Sequence, residues 1–281
     1  MTSKLRVGVI GRGKWGKRIV ETLQTKTKHC EGAWTTGSEF TPGFFMNPVG
    51  SSYPADFVVI ATPYSTHAKL MEQCFERGLP FIVEKPAAPI WELKKLHDDF
   101  PVTRPFLVNH TLLFNPAVEV MVELAHRGAD NFTATKLRGE HGGPGPVRDD
   151  CNALLDYGSH GVALGLWLSQ AKTARALRLH VGKKNEHGAQ NFVLHAHFEH
   201  LEFTLRVGND YPKKRLLYTT EYSAGTVGFT HRFREFPERE LLAYVESDLW
   251  EVDFVQDIDP LTNVLDSFAK VVKGEQEPDA R

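Results

Sequence analysis

Three glycines near the start of the chain constrain its fold more than any other feature. Gly11, Gly13 and Gly16 stand in the order G-x-G-x-x-G, as Gly11-Arg12-Gly13-Lys14-Trp15-Gly16. The apolar run Leu5-Arg6-Val7-Gly8-Val9-Ile10 precedes them and reads as a buried strand. Lys14 to Thr25 follows with Trp15, Ile19, Val20 and Leu23 at helical spacing. In a strand–loop–helix of this kind the first glycine permits a tight turn. The second lets backbone approach a pyrophosphate, and the third lets helix and strand pack closely. The N-terminus of the helix then favours an anion. The spacing alone is weak evidence and also describes a purely structural turn. The strand before it and the helix after it select the dinucleotide-binding reading.

The same rhythm continues. Ala33 to Thr35 reads as a short strand, and Phe57 to Ala61 is a β-branched run suited to the centre of a parallel sheet. A helix is expected from Ser65 or Thr66, either of which could cap it, to a stop at Gly78. Leu79 to Val83 is strand, Trp91 to Asp99 helix, and Phe106 to Asn109 strand. Such alternation implies a parallel sheet with right-handed crossovers. It stops near Asn109. Beyond it the pattern predicts a helix over Asn115 to Arg127, a strand over Asn131 to Leu137, and a loop through Gly142-Gly143-Pro144-Gly145-Pro146. A helix is expected over Ala153 to Leu168. Period-two strands follow, with Phe192, Leu194, Ala196 and Phe198 on one face and then Phe203, Leu205 and Val207. Leu261 to Val272 closes the chain as an amphipathic helix. The expected fold class is α/β. Residues 1–109 are read as a Rossmann domain with a parallel sheet. Residues 110–281 are read as an α/β domain for substrate binding and oligomerisation, with a mainly antiparallel sheet.

Composition narrows the partners. With 41% hydrophobic and 24% charged residues and a net charge of −2, the chain has no long basic run to favour nucleic acid or an anionic membrane. No apolar stretch approaches the ~20 residues that span a bilayer. Met1 to Arg6 leads directly into a strand, so no secretory leader is read and a cytoplasmic location is expected. Cys30, Cys74 and Cys151 are odd in number and widely spaced, as expected of reduced thiols.

The strand ends hold the chemistry. In sheets of this type ligands lie beyond the carboxyl ends of the strands. Ala61-Thr62-Pro63 stands at one such end, where Thr62 and Pro63 could line a nicotinamide ribose. His67 is read as packing or capping the helix start rather than as a proton carrier. Val83-Glu84-Lys85-Pro86 ends the next strand. A lysine at that mouth is placed for function, though the spacing fits a surface lysine equally well. Asp156 and His160 are i, i+4 and share a helical face. A histidine oriented by a carboxylate suits acid–base work near neutral pH, while the pair alone also fits an ordinary surface hydrogen bond. A carboxylate about 20 residues past the glycines usually holds the adenosine ribose of NAD. Here Thr35-Thr36-Gly37-Ser38 occupies that stretch, with Glu39 beyond. Thr36 and Ser38 tolerate a 2′-phosphate better than an acid does, and Arg12 and Lys14 could neutralise it. The cofactor expected is therefore NADP in preference to NAD. His195 and His197, with His200 close by, lack a carboxylate or cysteine completing a familiar metal spacing, and no metal is expected.

Taken together, the glycine loop, Ala61-Thr62-Pro63 with His67, Glu84-Lys85-Pro86, Asn109, and Asp156 with His160 resemble the Gfo/Idh/MocA family of NAD(P)-dependent oxidoreductases. The resemblance covers most of the chain. It implies that Lys85, Asp156 and His160 form the catalytic group, with Glu84 and Asn109 near cofactor or substrate. It implies a sugar, cyclitol or nucleotide-sugar as substrate, and a homodimer or larger assembly through an open sheet face. Three departures stand out. The family's arginine after the Asn109 region is absent from Thr111-Leu112-Leu113-Phe114-Asn115-Pro116. The segment between Thr36 and Asp56 is short for the strand and helix common there. The chain ends at Arg281, where relatives continue into a helix that packs back near the first domain. A non-catalytic dinucleotide sensor on the same fold is the alternative function, although such a protein needs no acid–base group. Reduction of a tetrapyrrole or an imine is a second enzymatic alternative.

Overall fold

The computed structural model describes residues 4–36, 55–126, 133–222, 225–231, 241–246 and 259–277. The protein is α/β and forms two compact units. One is Met1–Thr111 with Asp259–Ala280, and the other is Leu112–Ile258.

The first unit is built on strands β1 (Leu5–Ile10), β2 (Cys30–Thr36), β3 (Phe57–Ile60), β4 (Phe81–Glu84) and β5 (Phe106–Asn109). They lie parallel in the order β2-β1-β3-β4-β5. Helices α1 (Lys14–Thr25), α2 (His67–Glu76) and α3 (Ile90–Asp99) join them. Both faces of the sheet are covered, which is why the strands read as continuous apolar runs. Ile10, Val58, Ile60, Phe81 and Val83 pack with Leu70, Met71 and Cys74 of α2 and Leu96 of α3. Phe57 has the opposite parity to Val58. Its ring meets Phe268 edge-on at 5.2 Å, on helix α6 (Pro260–Val272).

That last contact changes the expected organisation. The sequence pattern placed everything after Asn109 in a second domain, but α6 packs on the first unit. Asp259, the residue before α6, accepts from the backbone N–H of Leu261 and pairs with Arg18 at 3.4 Å and Lys26 at 3.3 Å. Asp266 receives the backbone N–H groups of Lys28 at 3.0 Å and His29 at 3.1 Å. The amphipathic face carrying Phe268 fits a helix on either domain. Two carboxylates and the Phe57 ring decide for the first, and neither partner set is visible in the local pattern.

Local details refine other expectations. Thr66 occupies the N-cap position of α2, but its side chain makes no capping bond. A 3-10 turn, Tyr64–Thr66, comes first, and Thr66 Oγ1 donates to the carbonyl of Pro63 at 2.7 Å. Gly78 stands just past the end of α2 at φ +58°. The segment between Thr36 and Asp56, expected to be short of a strand and helix, lies for the most part outside the described residues, as do Gly37, Ser38 and Glu39.

The second unit holds helices α4 (Pro116–His126) and α5 (Ala153–Ser169) and seven strands. The strands are β6 (Ala134–Gly142), β7 (Ala176–Val181), β8 (Asn191–Phe198), β9 (Leu201–Gly208), β10 (Arg215–Tyr222), β11 (Gly225–His231) and β12 (Leu241–Glu246). Their order is β12-β11-β10-β6-β9-β8-β7, antiparallel throughout except for the parallel pair β6 and β9. On β8 the residues Phe192, Leu194, Ala196 and Phe198 are buried as the alternation predicts. Helix α5 covers that face at close range, because a Cβ on Gly161 or Gly165 would stand 2.8 Å from Leu205 or 2.7 Å from Phe198. The other face carries charge, including Arg138 and Lys136 paired with Glu221 and Arg215 with Glu140. Strand β7 is exposed along its whole length, and no expectation had singled it out.

The polar clip on α6 is testable. Arg18 and Lys26 are 43% and 46% exposed, so their ion pairs are screened and contribute little, while the cap contributes about 1 kcal/mol. Burial alone raises the Asp259 carboxyl, but Arg18, the Leu261 N–H and Lys26 together hold it below the ordinary carboxylate range. A group depressed in this way adds stability above its unfolded value and loses it as pH falls through the folded one. Asp259→Ala is expected to lower the thermal midpoint by a few degrees at neutral pH. The difference from the parent should shrink in acid, as followed by circular dichroism.

Candidate functional site

The glycine loop sits where the strand order reverses, between β1 and β3. Gly11 takes φ +121°, and a Cβ there would stand 2.4 Å from the carbonyl oxygen of Ala61. A Cβ on Gly16 would fall 2.1 Å from the carbonyl oxygen of Gly11. The backbones of the loop, the end of β3 and the first turn of α1 are thus in mutual contact, and Ala61 N–H donates to Ile10 O at 2.7 Å. Gly13 differs. A Cβ on it would meet nothing within 4 Å. It is exposed, stands at the N-cap of α1 without any side-chain cap, and is flanked by the exposed side chains of Arg12 and Lys14. The first turn of α1 contains no acidic residue. Open space over uncapped N–H groups between two cations fits a pyrophosphate.

The neighbouring strand ends converge on the same edge of the sheet. His67 is 1% exposed, with Nε2 2.9 Å from Thr62 O and Nδ1 2.9 Å from Pro86 O. Its ring therefore ties the end of β3 to the turn after Lys85. With the Thr66 proton on the Pro63 carbonyl, the Thr62 hydroxyl donates to Thr66 Oγ1 at 2.6 Å. Glu84, at the end of β4, is buried, and its Oε1 accepts from Trp15 Nε1 and from Asn109 Nδ2. Burial pushes the Glu84 carboxyl up to about 7, although Trp15, Asn109 and Lys85 each pull it down. Next to Asn109, His110 is driven down to about 4 by burial and by the Lys85 ammonium, and is neutral at pH 7. Lys85 itself is half-buried. Thr36 is the register partner of Ile10, so its backbone ends β2 beside the loop.

Asp156 and His160 belong to the second unit, on α5. Asn152 caps that helix through Leu155 N–H at 2.9 Å, which fixes the turn that bears Asp156. His160 is 7% exposed and stacks on His141 of β6, with ring centroids 5.7 Å apart and planes at 24°. Tyr157 meets His141 edge-on at 5.3 Å, and Tyr218 at 6.5 Å. Arg148 forms a two-point pair with Asp150, at 3.0 and 3.1 Å, and also lies in the field of Asp156. Burial and then Asp156 raise the Tyr157 hydroxyl. His141, Tyr157 and Arg148 were not singled out from the sequence. His141 carried a signal, since it stands at the end of a strand just before a Gly/Pro-rich loop. His195, by contrast, bonds Thr204 Oγ1 at 3.0 Å and meets His180 edge-on at 5.6 Å, and among the described residues no group of three metal-ligating side chains occurs.

No family model matches the chain, and no curated protein matches it in sequence. Solved structures do match in fold. One from Magnetospirillum magnetotacticum, described as a candidate oxidoreductase, aligns over 99% of this chain and 94% of its own, with TM-score 0.76 and 24% identity. The UDP-N-acetylglucosamine 3-dehydrogenase of Acidithiobacillus ferrooxidans aligns over 98% and 91%, with TM-score 0.73 and 18% identity. A 3-ketoreductase from Actinomadura kijaniata, solved with TDP-benzene and NADP, aligns over 98% and 92%, with TM-score 0.73 and 16% identity. At these identities the likeness is one of fold. No helix among the described residues is long and apolar enough to cross a membrane.

The loop geometry separates two neighbouring glycines. Gly11→Ala meets a forbidden backbone conformation and a carbonyl oxygen, and should lose about 2 kcal/mol or more of stability. Gly13→Ala should leave the unfolding midpoint within a degree or so of the parent, since the added methyl group enters open space. Equal losses in urea unfolding would contradict the placement of the loop.

Proposed function

We propose that the protein is an NAD(P)-dependent oxidoreductase acting on a sugar, cyclitol or nucleotide-sugar. In this reading a hydride passes between the nicotinamide and a hydroxyl-bearing or carbonyl carbon of the substrate. The observation that carries it is the cradle at Gly13, an open approach to an uncapped helix start at the switch point of a doubly wound sheet. The dehydrogenase and ketoreductase that share the fold support the reaction class.

The residues divide the work as follows. Gly11, Gly13 and Gly16 shape the cradle, and Arg12, Lys14 and Trp15 surround it. Ala61, Thr62 and Pro63 line the adjoining strand end, with His67 holding it and Glu84 behind it. When bound, the nicotinamide supplies the hydride chemistry, and the protein supplies position and electrostatics. Lys85 hydrogen-bonds the substrate oxygen and favours the negative charge that develops there. His160 exchanges the proton of that oxygen, and Asp156 orients His160 or binds a neighbouring hydroxyl. Asn109 contributes to substrate binding. Because removing Lys85 or His160 deletes an interaction made mainly in the transition state, Lys85→Ala and His160→Ala should each bind NADPH like the parent. Each should lose about a hundredfold or more in kcat on a substrate found by screening sugars, cyclitols and nucleotide-sugars. Near-parental turnover in both would remove this assignment.

Thr36 and Ser38 occupy the stretch of sequence where an acid would oppose a 2′-phosphate, and Arg12 and Lys14 are exposed on the glycine loop. NADPH is therefore expected to bind more tightly than NADH in a fluorescence titration, and equal affinities would reassign the ribose site. The charged face of the seven-stranded sheet, with its paired Arg138 and Glu221, is proposed as the surface of a homodimer. A monomer mass in sedimentation at micromolar concentration would exclude it.

A further inference from the structure

Two elements of the first unit send a side chain to one buried oxygen on a third. Trp15 comes from the first turn of α1, inside the glycine loop. Asn109 comes from the end of β5. Both donate to Oε1 of Glu84 at the end of β4, with Asn109 at 2.5 Å. Asn109 is 1% exposed and Glu84 9%. An indole N–H can only donate, and the amide donates through Nδ2, so its acceptor Oδ1 is turned away from Glu84. Oδ1 is itself buried and meets no donor among the described residues. We propose that Glu84 is a positioning residue: a strut that locks the glycine-rich loop to the lysine-bearing end of β4 and sets the orientation of the Asn109 amide. What the loop and Lys85 do rests on the function proposed above. The strut itself does not.

Geometry and solvation support this role. Trp15 lies between Gly13 and Gly16, so any displacement of the loop moves the indole. The indole reaches past β3 to β4, whose next residue is Lys85. Arg18 stacks over the Trp15 ring at 5.3 Å and restrains it from the outer side. A buried carboxylate that receives two N–H groups is held far more tightly than an exposed one. Truncating it leaves the buried Asn109 amide and the half-buried Trp15 indole without their acceptor, a cost that reaches tenfold or more in any equilibrium needing the native arrangement. Among the described residues, the charged and titratable groups around Glu84 are three. Lys85 adjoins it along the strand, Arg18 lies beyond the indole on α1, and His110 after β5 is neutral at pH 7 because its own transition is displaced to about 4. The Glu84 carboxyl, raised to about 7, is thus the group whose proton changes near neutrality in this bridge.

The test uses the full-length protein without ligand. The five tryptophans give five indole N–H signals in a nitrogen-correlated NMR spectrum, and Trp15→Phe identifies the one from Trp15. That signal is expected to shift between about pH 5 and about pH 9 with a midpoint near 7, as the acceptor gains its proton. In Glu84→Gln the shift should vanish, because the amide oxygen still accepts but does not titrate. A signal that is flat in the parent, or that still titrates in Glu84→Gln, overturns the strut. The second arm measures NADPH affinity by fluorescence. Glu84→Leu should weaken binding about tenfold or more, and Glu84→Gln should restore most of it. If Glu84→Leu fails to fold, Trp15→Phe takes its place and should weaken binding several-fold. Parental affinity in the truncated variants overturns the proposal. A titrating Trp15 signal in a parent that binds neither NADPH nor NADH supports the strut and rejects the functional reading, so the two failures are distinct.

Discussion

The architecture of the first unit depends on a backbone contact with no side chain in it. Gly16 approaches the carbonyl of Gly11, and Gly11 in turn approaches the carbonyl of Ala61. Because neither approach leaves room for a methyl group, α1 starts hard against the sheet at the point where the strand order reverses. The helix therefore directs its uncapped N–H groups along the edge where β1, β3, β4 and β5 also end. Buried polar side chains tie the strand ends together along this edge. His67 joins the ends of β3 and β4, and Glu84 joins α1, β4 and β5. Removing the side chains from the contact is what lets these longer side chains reach one another.

The second unit solves a different problem. Helix α5 must cover a twisted antiparallel sheet and still present Asp156 and His160 in defined positions. Gly161 and Gly165 bring the helix down onto Leu205 and Phe198, so that His160 is buried rather than solvated and finds the ring of His141 beside it. The surroundings of His160 are thus set by the sheet as well as by its own helix.

Much of this was legible in the sequence, for identifiable reasons. Helix α1 spans the residues that the pattern indicated, and β3, β5 and the alternation of β8 appear where hydrophobic periodicity put them, because burial on fixed faces imposes period 3.6 or period 2. The Gly11–Gly16 loop was readable because its function demands the absence of side chains, which is visible directly. Two things were not readable. The destination of α6 depends on Asp259 and Asp266 finding Arg18, Lys26 and two backbone N–H groups more than two hundred residues away. The partnership of Trp15 with Glu84 spans sixty-nine positions and has no local signature. Strand β7, by contrast, was legible, since Leu177, Leu179 and Val181 alternate with Arg178 and His180 at period two.

That exposed strand has a consequence for the protein as a material. Strand β7 is the last in its sheet, and beyond β8 it has no described neighbour to pair with. Leu177, Leu179 and Val181 stand along it at 69%, 42% and 58% exposure, all on one face. A free edge with an apolar ribbon is a template for adding strands from other chains, and such growth has no natural end. Arg178 and His180 alternate with the ribbon, and the exposed Lys183 and Lys184 follow directly, so any chain docking in register brings like charges together. Colloidal behaviour near this edge is therefore governed by salt. Screening weakens the charges that guard the strand, while the apolar ribbon they guard is unaffected.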